Sequence, residues 1–152
     1  KVQAANPEKK PVLCLLDGYP LGIFNYHGVK FIDCYNLCFK RFPTSTGESL
    51  VASGYTGCIG FSGCEFIGNM KTGLYVEFGS TARIAGCTFK LCDIAVSVVE
   101  GSSAYISGCA TEQSTVNKAL FCRGASAFVV SSPEFKGKIA NVEKNNGLVI
   151  GL

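Results

Sequence analysis

Hydrophobic and polar positions alternate in short runs between residues 57 and 137, and the runs return at a fixed interval. Three of the runs contain glycine followed by cysteine, as in Phe61-Ser62-Gly63-Cys64. The cysteine position steps from Cys64 to Cys87 and Cys109 and is then occupied by Ser132, at a nearly constant interval of about 22–23 residues. A period of this length without helical spacing inside it indicates a stacked coil of strands.

Each repeat predicts three short strands whose alternate residues point inward and outward. The first strand of four successive repeats runs through Ile59-Gly60-Phe61, Ala82-Arg83-Ile84, Ala104-Tyr105-Ile106 and Ala127-Phe128-Val129. The second strand carries the cysteine position with Phe66 or Phe89, and the third carries the apolar runs that start at Leu74, Val96 and Ala119. A glycine precedes each first strand, at Gly79, Gly101 and Gly124, where a sharp corner needs positive φ.

This pattern predicts an all-β protein, a parallel β-helix of about five to six rungs of 22–23 residues. Residues 1–11 are polar and predict a linker or lead-in segment, and residues 12–152 are expected to form the β-helix domain. Cys34 precedes Cys64 by more than one repeat. We interpret this spacing as one repeat enlarged by an insertion within residues 42–48. Because the chain begins without methionine and stops inside an apolar run, we expect a fragment of a longer chain.

Composition narrows the function classes. The chain is 47% hydrophobic and 16% charged, which is too apolar for disorder. No apolar run approaches the ~18–20 residues that would span a bilayer. The paired basic residues are limited to Lys9-Lys10 and Lys40-Arg41. A nucleic-acid-binding domain would show a denser basic stripe. We therefore expect neither nucleic-acid binding nor membrane insertion.

Nine cysteines are an odd number, and three of them occupy one repeated position. Because buried free cysteine behaves as a small hydrophobe, we expect most of them to be reduced residues of an internal ladder, made in a reducing compartment. The spacings Cys34-x₃-Cys38 and Cys87-x₄-Cys92 lack histidine or aspartate partners for zinc. We expect no metal and no cofactor. The single histidine, His27, is expected to lie in a loop without a catalytic role.

The rungs resemble the right-handed parallel β-helix of the pectate-lyase-like superfamily, and in particular the β-helices of bacteriophage tailspikes. The residues that carry the likeness are Phe61 to Asn69, Thr72 to Glu77 and Gly79 to Ile84. The corner Gly101-Ser102-Ser103-Ala104, followed by the similar Gly124-Ala125-Ser126-Ala127, also looks like the Gly-Ser-Ser-Ala rungs of phage tail proteins. The resemblance implies a right-handed coil in a homotrimer that contacts bacterial surface polysaccharide. It also implies a location in the virion tail after synthesis in the bacterial cytoplasm.

Two other functions remain open. The first is an enzyme, a polysaccharide hydrolase or lyase, and the second is an extracellular or cell-surface bacterial adhesin. The motifs of β-helical pectinolytic enzymes are absent from the sequence, which leaves intrinsic catalysis by this segment unsupported. The weak catalytic candidates are Glu77 and Glu100, which stand one repeat apart and are expected on neighbouring rungs. Their alternative interpretation is a pair of solvated carboxylates beside a turn.

The binding candidates lie on the outward face of the first strand. Gly60, Arg83, Tyr105 and Phe128 occupy one outward position in four rungs, and Tyr75 is expected to flank them or to line another face. Aromatic rings suit the apolar faces of sugars. The alternative is a subunit interface, which is the favoured interpretation for Phe128 with Val130. The sequence therefore predicts function on this outward strip, in residues 42–48, or at a seam between subunits.

Overall fold

The computed structural model describes residues 2–3, 9–15, 31–41, 49–53 and 57–151. These residues form β-strands and no helix. The strands, β1 to β15 in chain order, are Val2–Gln3, Val12–Leu15, Ile32–Tyr35, Cys38–Arg41, Ser49–Ser53, Cys58–Ser62, Glu65–Val76, Thr81–Ala85, Thr88–Val99, Ser103–Ser107, Ala110–Thr111, Lys118–Arg123, Ser126–Val130, Ala140–Asn145 and Leu148–Ile150. The expected features at His27 and residues 42–48 lie outside the described residues.

The strands form two parallel sheets that are stacked as a β-solenoid of about five turns. Sheet A has the order β1-β3-β6-β8-β10-β13-β15, and sheet B has the order β14-β12-β9-β7-β4-β2. Successive partners in sheet A follow the repeat, since Cys58 pairs with Thr81, Thr81 with Ser103, and Ser103 with Ser126. The predicted all-β parallel β-helix is confirmed.

The expected second and third strands of a rung are one strand in two of the turns. β7 and β9 each run for 12 residues. Their pairing shifts register between Ile67 and Thr72, so a bulge bends the continuous strand where a break was expected. Asn69 and Leu91 adopt positive φ at this bend. In the following turn the corresponding part of the chain forms two separate strands, β11 and β12.

Left-handed backbone conformations make the corners of each turn. Gly79, Gly101 and Gly124 have positive φ of 71°, 73° and 55°, as the sequence predicted for the corner before sheet A. A second column of left-handed residues follows sheet A. It consists of Asn36, Gly63, Gly86, Gly108 and Ser131. Both columns lie where the chain turns from one sheet to the other, so they set the shape of the rung.

A stack of phenylalanine rings fills the interior beside β4, β7 and β9. The rings of Phe39 and Phe66 stack with centroids 5.2 Å apart, and Phe89 continues the stack. Phe135 closes it with an edge contact to Phe89 at 5.9 Å. All four side chains are fully buried. Burial of one such ring stabilises the fold by about 1.5–3 kcal/mol, so the stack ties successive turns together.

The cysteine ladder lies at the corner after sheet A. Cys64, Cys87 and Cys109 are buried, and each thiol donates to the carbonyl oxygen two residues before it at 3.4–3.6 Å. Ser132 takes the next place, where its hydroxyl accepts from the Cys109 amide at 3.2 Å. Hydrogen bonds with Cys109 and Cys64, together with burial, raise the pKa of Cys87 well above its ordinary value. All nine cysteines lie within the described residues, and none forms a disulfide.

The placement of Cys34 corrects the sequence alignment. Cys34 pairs with Phe61, and Cys38 pairs with Glu65, so Leu37 is the residue that precedes Cys64 in the ladder. This rung is therefore longer than the regular repeat, but it is shorter than an alignment of Cys34 with Cys64 implied. Cys34 and Leu37 are both apolar and both buried, so hydrophobicity alone did not distinguish them.

Candidate functional site

A single row of side chains runs along the outward face of sheet A. Arg83 pairs with Gly60 on one side and Tyr105 on the other, and Tyr105 pairs with Phe128. The structure therefore brings the four predicted strip residues together. It also extends the row at both ends, and we call the result the central row. Its members are Asp33, Gly60, Arg83, Tyr105, Phe128 and Ile150.

Strand alternation explains why the central row faces outward. In β8 the neighbours of Arg83, which are Ala82 and Ile84, are fully buried in the core, so Arg83 must point to solvent. The same alternation leaves Tyr105 47% exposed and Phe128 41% exposed. Partners in neighbouring strands lie ~4.8 Å apart, so the row presents one side chain per rung at regular spacing.

Small polar side chains flank the central row. Thr81 and Ser103 lie on one side, and their hydroxyl oxygens are 3.1 Å apart. Ser62 and Ser107 lie on the other side, in register with Ala85 between them. Because these residues are short, the larger side chains of the central row stand above them and leave shallow troughs alongside.

Two depressions adjoin Arg83. The first depression has a volume of about 460 Å³ and is lined by Thr81, Arg83, Ser103, Ala104, Tyr105 and Phe128. Aromatic rings, hydroxyl groups and one guanidinium therefore meet in one place. No carboxylate is among these lining residues. This is the combination of stacking surface, neutral hydrogen-bonding groups and one charge that suits a sugar on the outward strip.

The second depression, of about 280 Å³, lies on the opposite side of Arg83. Its lining includes Asp33, Tyr35, Gly60 and Arg83. The Tyr35 hydroxyl donates to the Asp33 carboxylate at 3.2 Å, and the charge of Asp33 raises the pKa of Tyr35. The carboxylate lies over Gly60, where any side chain would collide with it. The absence of a side chain at Gly60 gives the Asp33 carboxylate its place at the second depression.

Exposed apolar side chains gather at the C-terminal end of sheet A. Val130, Leu148 and Ile150 are 43%, 56% and 48% exposed. They continue the face beyond Phe128, which is itself exposed. The face therefore changes character along the coil, from polar around Arg83 to apolar around Ile150.

Tyr75 does not belong to the central row. It lies in sheet B, where it pairs with Ala52 and Ser97. Both catalytic candidates lie near Tyr75 instead. Burial has the largest effect in raising the pKa of Tyr75, and the charges of Glu77 and Glu100 raise it further. The structure thus places Tyr75 on another face of the coil, one of the two positions expected for it.

Glu77 and Glu100 lie near one another, on neighbouring turns, at the corner between sheets B and A. Burial and the charge of Glu100 raise the pKa of Glu77. Arg123 lies 3.9 Å from Glu100, and this distance is that of a loose, solvent-exposed ion pair. The raised pKa of Glu77 is compatible with a proton donor, whereas the exposure of Glu100 and Arg123 is compatible with a solvated surface cluster.

Asp33 and the flanking hydroxyl groups are the site residues that sequence reasoning missed. Asp33 was hidden because the rung from β3 to β6 is longer than the others, so it did not align with Gly60 in the regular repeat. The hydroxyl groups carried a signal, since Thr81, Ser103 and Ser126 recur just after the corner glycines. Their register places them beside the central row.

Other kinds of site find no support in the described ranges. They contain no group of three or more histidine, cysteine or acidic residues arranged to hold a metal ion. Burial raises the pKa of Cys34 and Cys92 to about 12, which favours the neutral thiol over a metal-binding thiolate. Within the same ranges, no helix is long and apolar enough to cross a membrane. No family model, curated protein or solved structure matches the chain.

Proposed function

We propose that this chain is a glycan-binding β-helix domain, with a polysaccharide lying along the central row of sheet A. The observation that carries the proposal is the register of Arg83, Tyr105 and Phe128, which line one depression together with the hydroxyl groups of Thr81 and Ser103. Tyrosine and phenylalanine rings offer a flat surface to the apolar face of a sugar ring. The hydroxyl groups and the guanidinium offer hydrogen bonds to its polar edge.

The shape of the face favours a polymer over a small molecule. Small-molecule sites enclose most of their ligand in a concave pocket. Here both depressions are open to solvent, and Arg83 lines both of them. A chain of sugars would gain a contact at each rung, because each rung repeats the outward position at ~4.8 Å.

The proposed setting is a bacteriophage tail appendage that contacts bacterial surface polysaccharide as a homotrimer. This part rests on the resemblance of the rungs to those of tailspike β-helices. The apolar end of sheet A, at Val130, Leu148 and Ile150, supports association between subunits, because clustered exposed apolar side chains commonly mark contacts. Light scattering coupled to size exclusion would test it. A monomer at all concentrations would contradict the trimer.

Glycan binding is tested with a panel of capsular and O-antigen polysaccharides immobilised on a surface. Tyr105→Ala and Phe128→Ala should each weaken binding about tenfold, since loss of one aromatic stack removes roughly 1–1.5 kcal/mol. Ile139→Ala is the matched control, because Ile139 is 70% exposed and lies outside sheet A. Failure of every polysaccharide to bind, or an equal effect of the control, would overturn the proposal.

A polysaccharide-cleaving activity is the second candidate, and the raised pKa of Glu77 favours it. A carboxyl that holds its proton to higher pH is better suited to act as a general acid toward a glycosidic oxygen. The same panel should be assayed for new reducing ends. Cleavage that Glu77→Gln abolishes would support this role, and cleavage that persists in that variant would remove Glu77 from it.

A further inference from the structure

We propose that the glycan bound by sheet A is acidic, and that Arg83 holds its carboxylate in the first depression. This inference rests on the proposed function and names the class of sugar that the face selects. It starts from the distribution of charge. The seven strands of sheet A contain two charged residues, Arg83 and Asp33. Every other outward residue of these strands is neutral.

Asp33 does not neutralise Arg83. The two residues are in strands β3 and β8, with β6 between them, so their backbones are separated by about two strand spacings, or ~9.6 Å. The Asp33 carboxylate lies over Gly60 and accepts the Tyr35 hydroxyl. Among the described residues, Arg83 forms no ion pair. Its guanidinium therefore presents its donors to whatever occupies the face.

The two sides of Arg83 differ in what they accept. In the second depression the Asp33 carboxylate faces any ligand and would repel an anionic group there. The first depression combines Arg83 with Thr81, Ser103 and the ring of Tyr105, and its lining has no acidic residue. An anionic group is therefore favoured in the first depression, because guanidinium binds carboxylate through two parallel hydrogen bonds.

This asymmetry gives the bound chain a direction. The acidic sugar lies at Arg83 with its ring toward Tyr105. The preceding neutral sugar lies in the second depression, where its hydroxyl groups donate to Asp33, and the following sugar continues toward Phe128. The Asp33 carboxylate occupies the space over Gly60, so it is the acceptor that this neutral sugar meets.

The test compares matched ligands by calorimetry. The probes are oligosaccharides of hyaluronate and of polysialic acid, together with acidic capsular oligosaccharides from the panel that bind. Each is paired with its carboxyl-reduced form, in which the acid is converted to a neutral alcohol. The acidic form should bind about 10- to 100-fold more tightly than its reduced partner, the range for a charged hydrogen-bonded contact. Added salt should weaken the acidic form selectively.

Arg83→Gln should remove this preference, so that the acidic form and its reduced partner bind the variant with equal affinity. Lys138→Gln removes the same charge from an exposed residue outside sheet A and should leave the preference intact. Equal affinity for acidic and reduced forms, with both weakened by Tyr105→Ala, would overturn the acidic selectivity while glycan binding stands. Absence of binding by every polysaccharide in the panel and its reduced form would overturn both.

Discussion

The rings of Phe66 and Phe89 lie face to face in successive turns, with centroids 4.7 Å apart and planes 9° from parallel. Phe89 also meets Phe135 edge-on, so its ring connects two neighbours in the core. Removing it should leave a cavity that a stacked parallel sheet cannot close, because the backbone hydrogen bonds fix the distance between turns.

We expect Phe89→Ala to lower the free energy of unfolding by about 3–5 kcal/mol, the usual range for a buried phenylalanine. Urea denaturation followed by circular dichroism measures this change. Phe128→Ala removes an equal side chain from the outward face and should cost much less. Similar losses for the two variants would contradict the assigned inward and outward positions.

The corner at Gly86 offers a test of backbone conformation separate from packing. Gly86 has φ of 58°, and a methyl group there would meet nothing within 4 Å. Gly86→Ala should therefore cost about 1–2 kcal/mol, from left-handed strain alone. Gly86→Asn should cost less, because Asn36 adopts the same conformation in this column. Equal stability of Gly86→Ala and the wild type in thermal unfolding would contradict this account.

The raised pKa of Glu77 makes stability depend on pH in a defined direction. Because the folded state favours the protonated form, the fold is most stable relative to Glu77→Gln below the ordinary value of 4.5. That advantage is lost as pH rises through the raised pKa. Urea denaturation from acidic to neutral pH should show wild type losing stability relative to Glu77→Gln. A constant difference across the range, or the same trend for Glu134→Gln, would refute the assignment.

The cysteine ladder predicts two classes of thiol reactivity. Cys14 is exposed and Cys58 is partly exposed, whereas the other cysteines are buried. In the folded protein, Ellman's reagent should react rapidly with Cys14 and slowly with the ladder. All nine thiols should react after denaturation without reductant. Fewer thiols in the denatured protein would show that some had formed disulfides.

The regular repeat was sufficient to predict the regular turns of the coil. It placed Ile84 against Ile106 and aligned Arg83 with Tyr105 and Phe128, because a parallel ladder stacks equivalent positions directly. It also placed Glu77 near Glu100. These predictions succeeded because each depended on a single period that the chain keeps from residue 57 onward.

The bend within the long strands and the register of the longer rung escaped prediction for physical reasons. Leu91 has positive φ at the bend, although leucine has no intrinsic preference for that conformation, so tertiary packing imposes it. Asp33 came to lie beside Gly60 through pairing across a rung that does not keep the regular period. The hydrophobic pattern predicts that Cys34 faces inward. It does not predict which residue of the next turn pairs with Cys34.

The central row places six dissimilar residues (Asp33, Gly60, Arg83, Tyr105, Phe128 and Ile150) at equivalent points of one lattice. The backbone is the same beneath each of them, since the buried neighbours and the corners hold the turns in place. Under the proposed function, exchanging one outward residue such as Tyr105 changes one contact along the glycan and leaves the supporting backbone in place. A coil of this kind can acquire a new specificity one rung at a time.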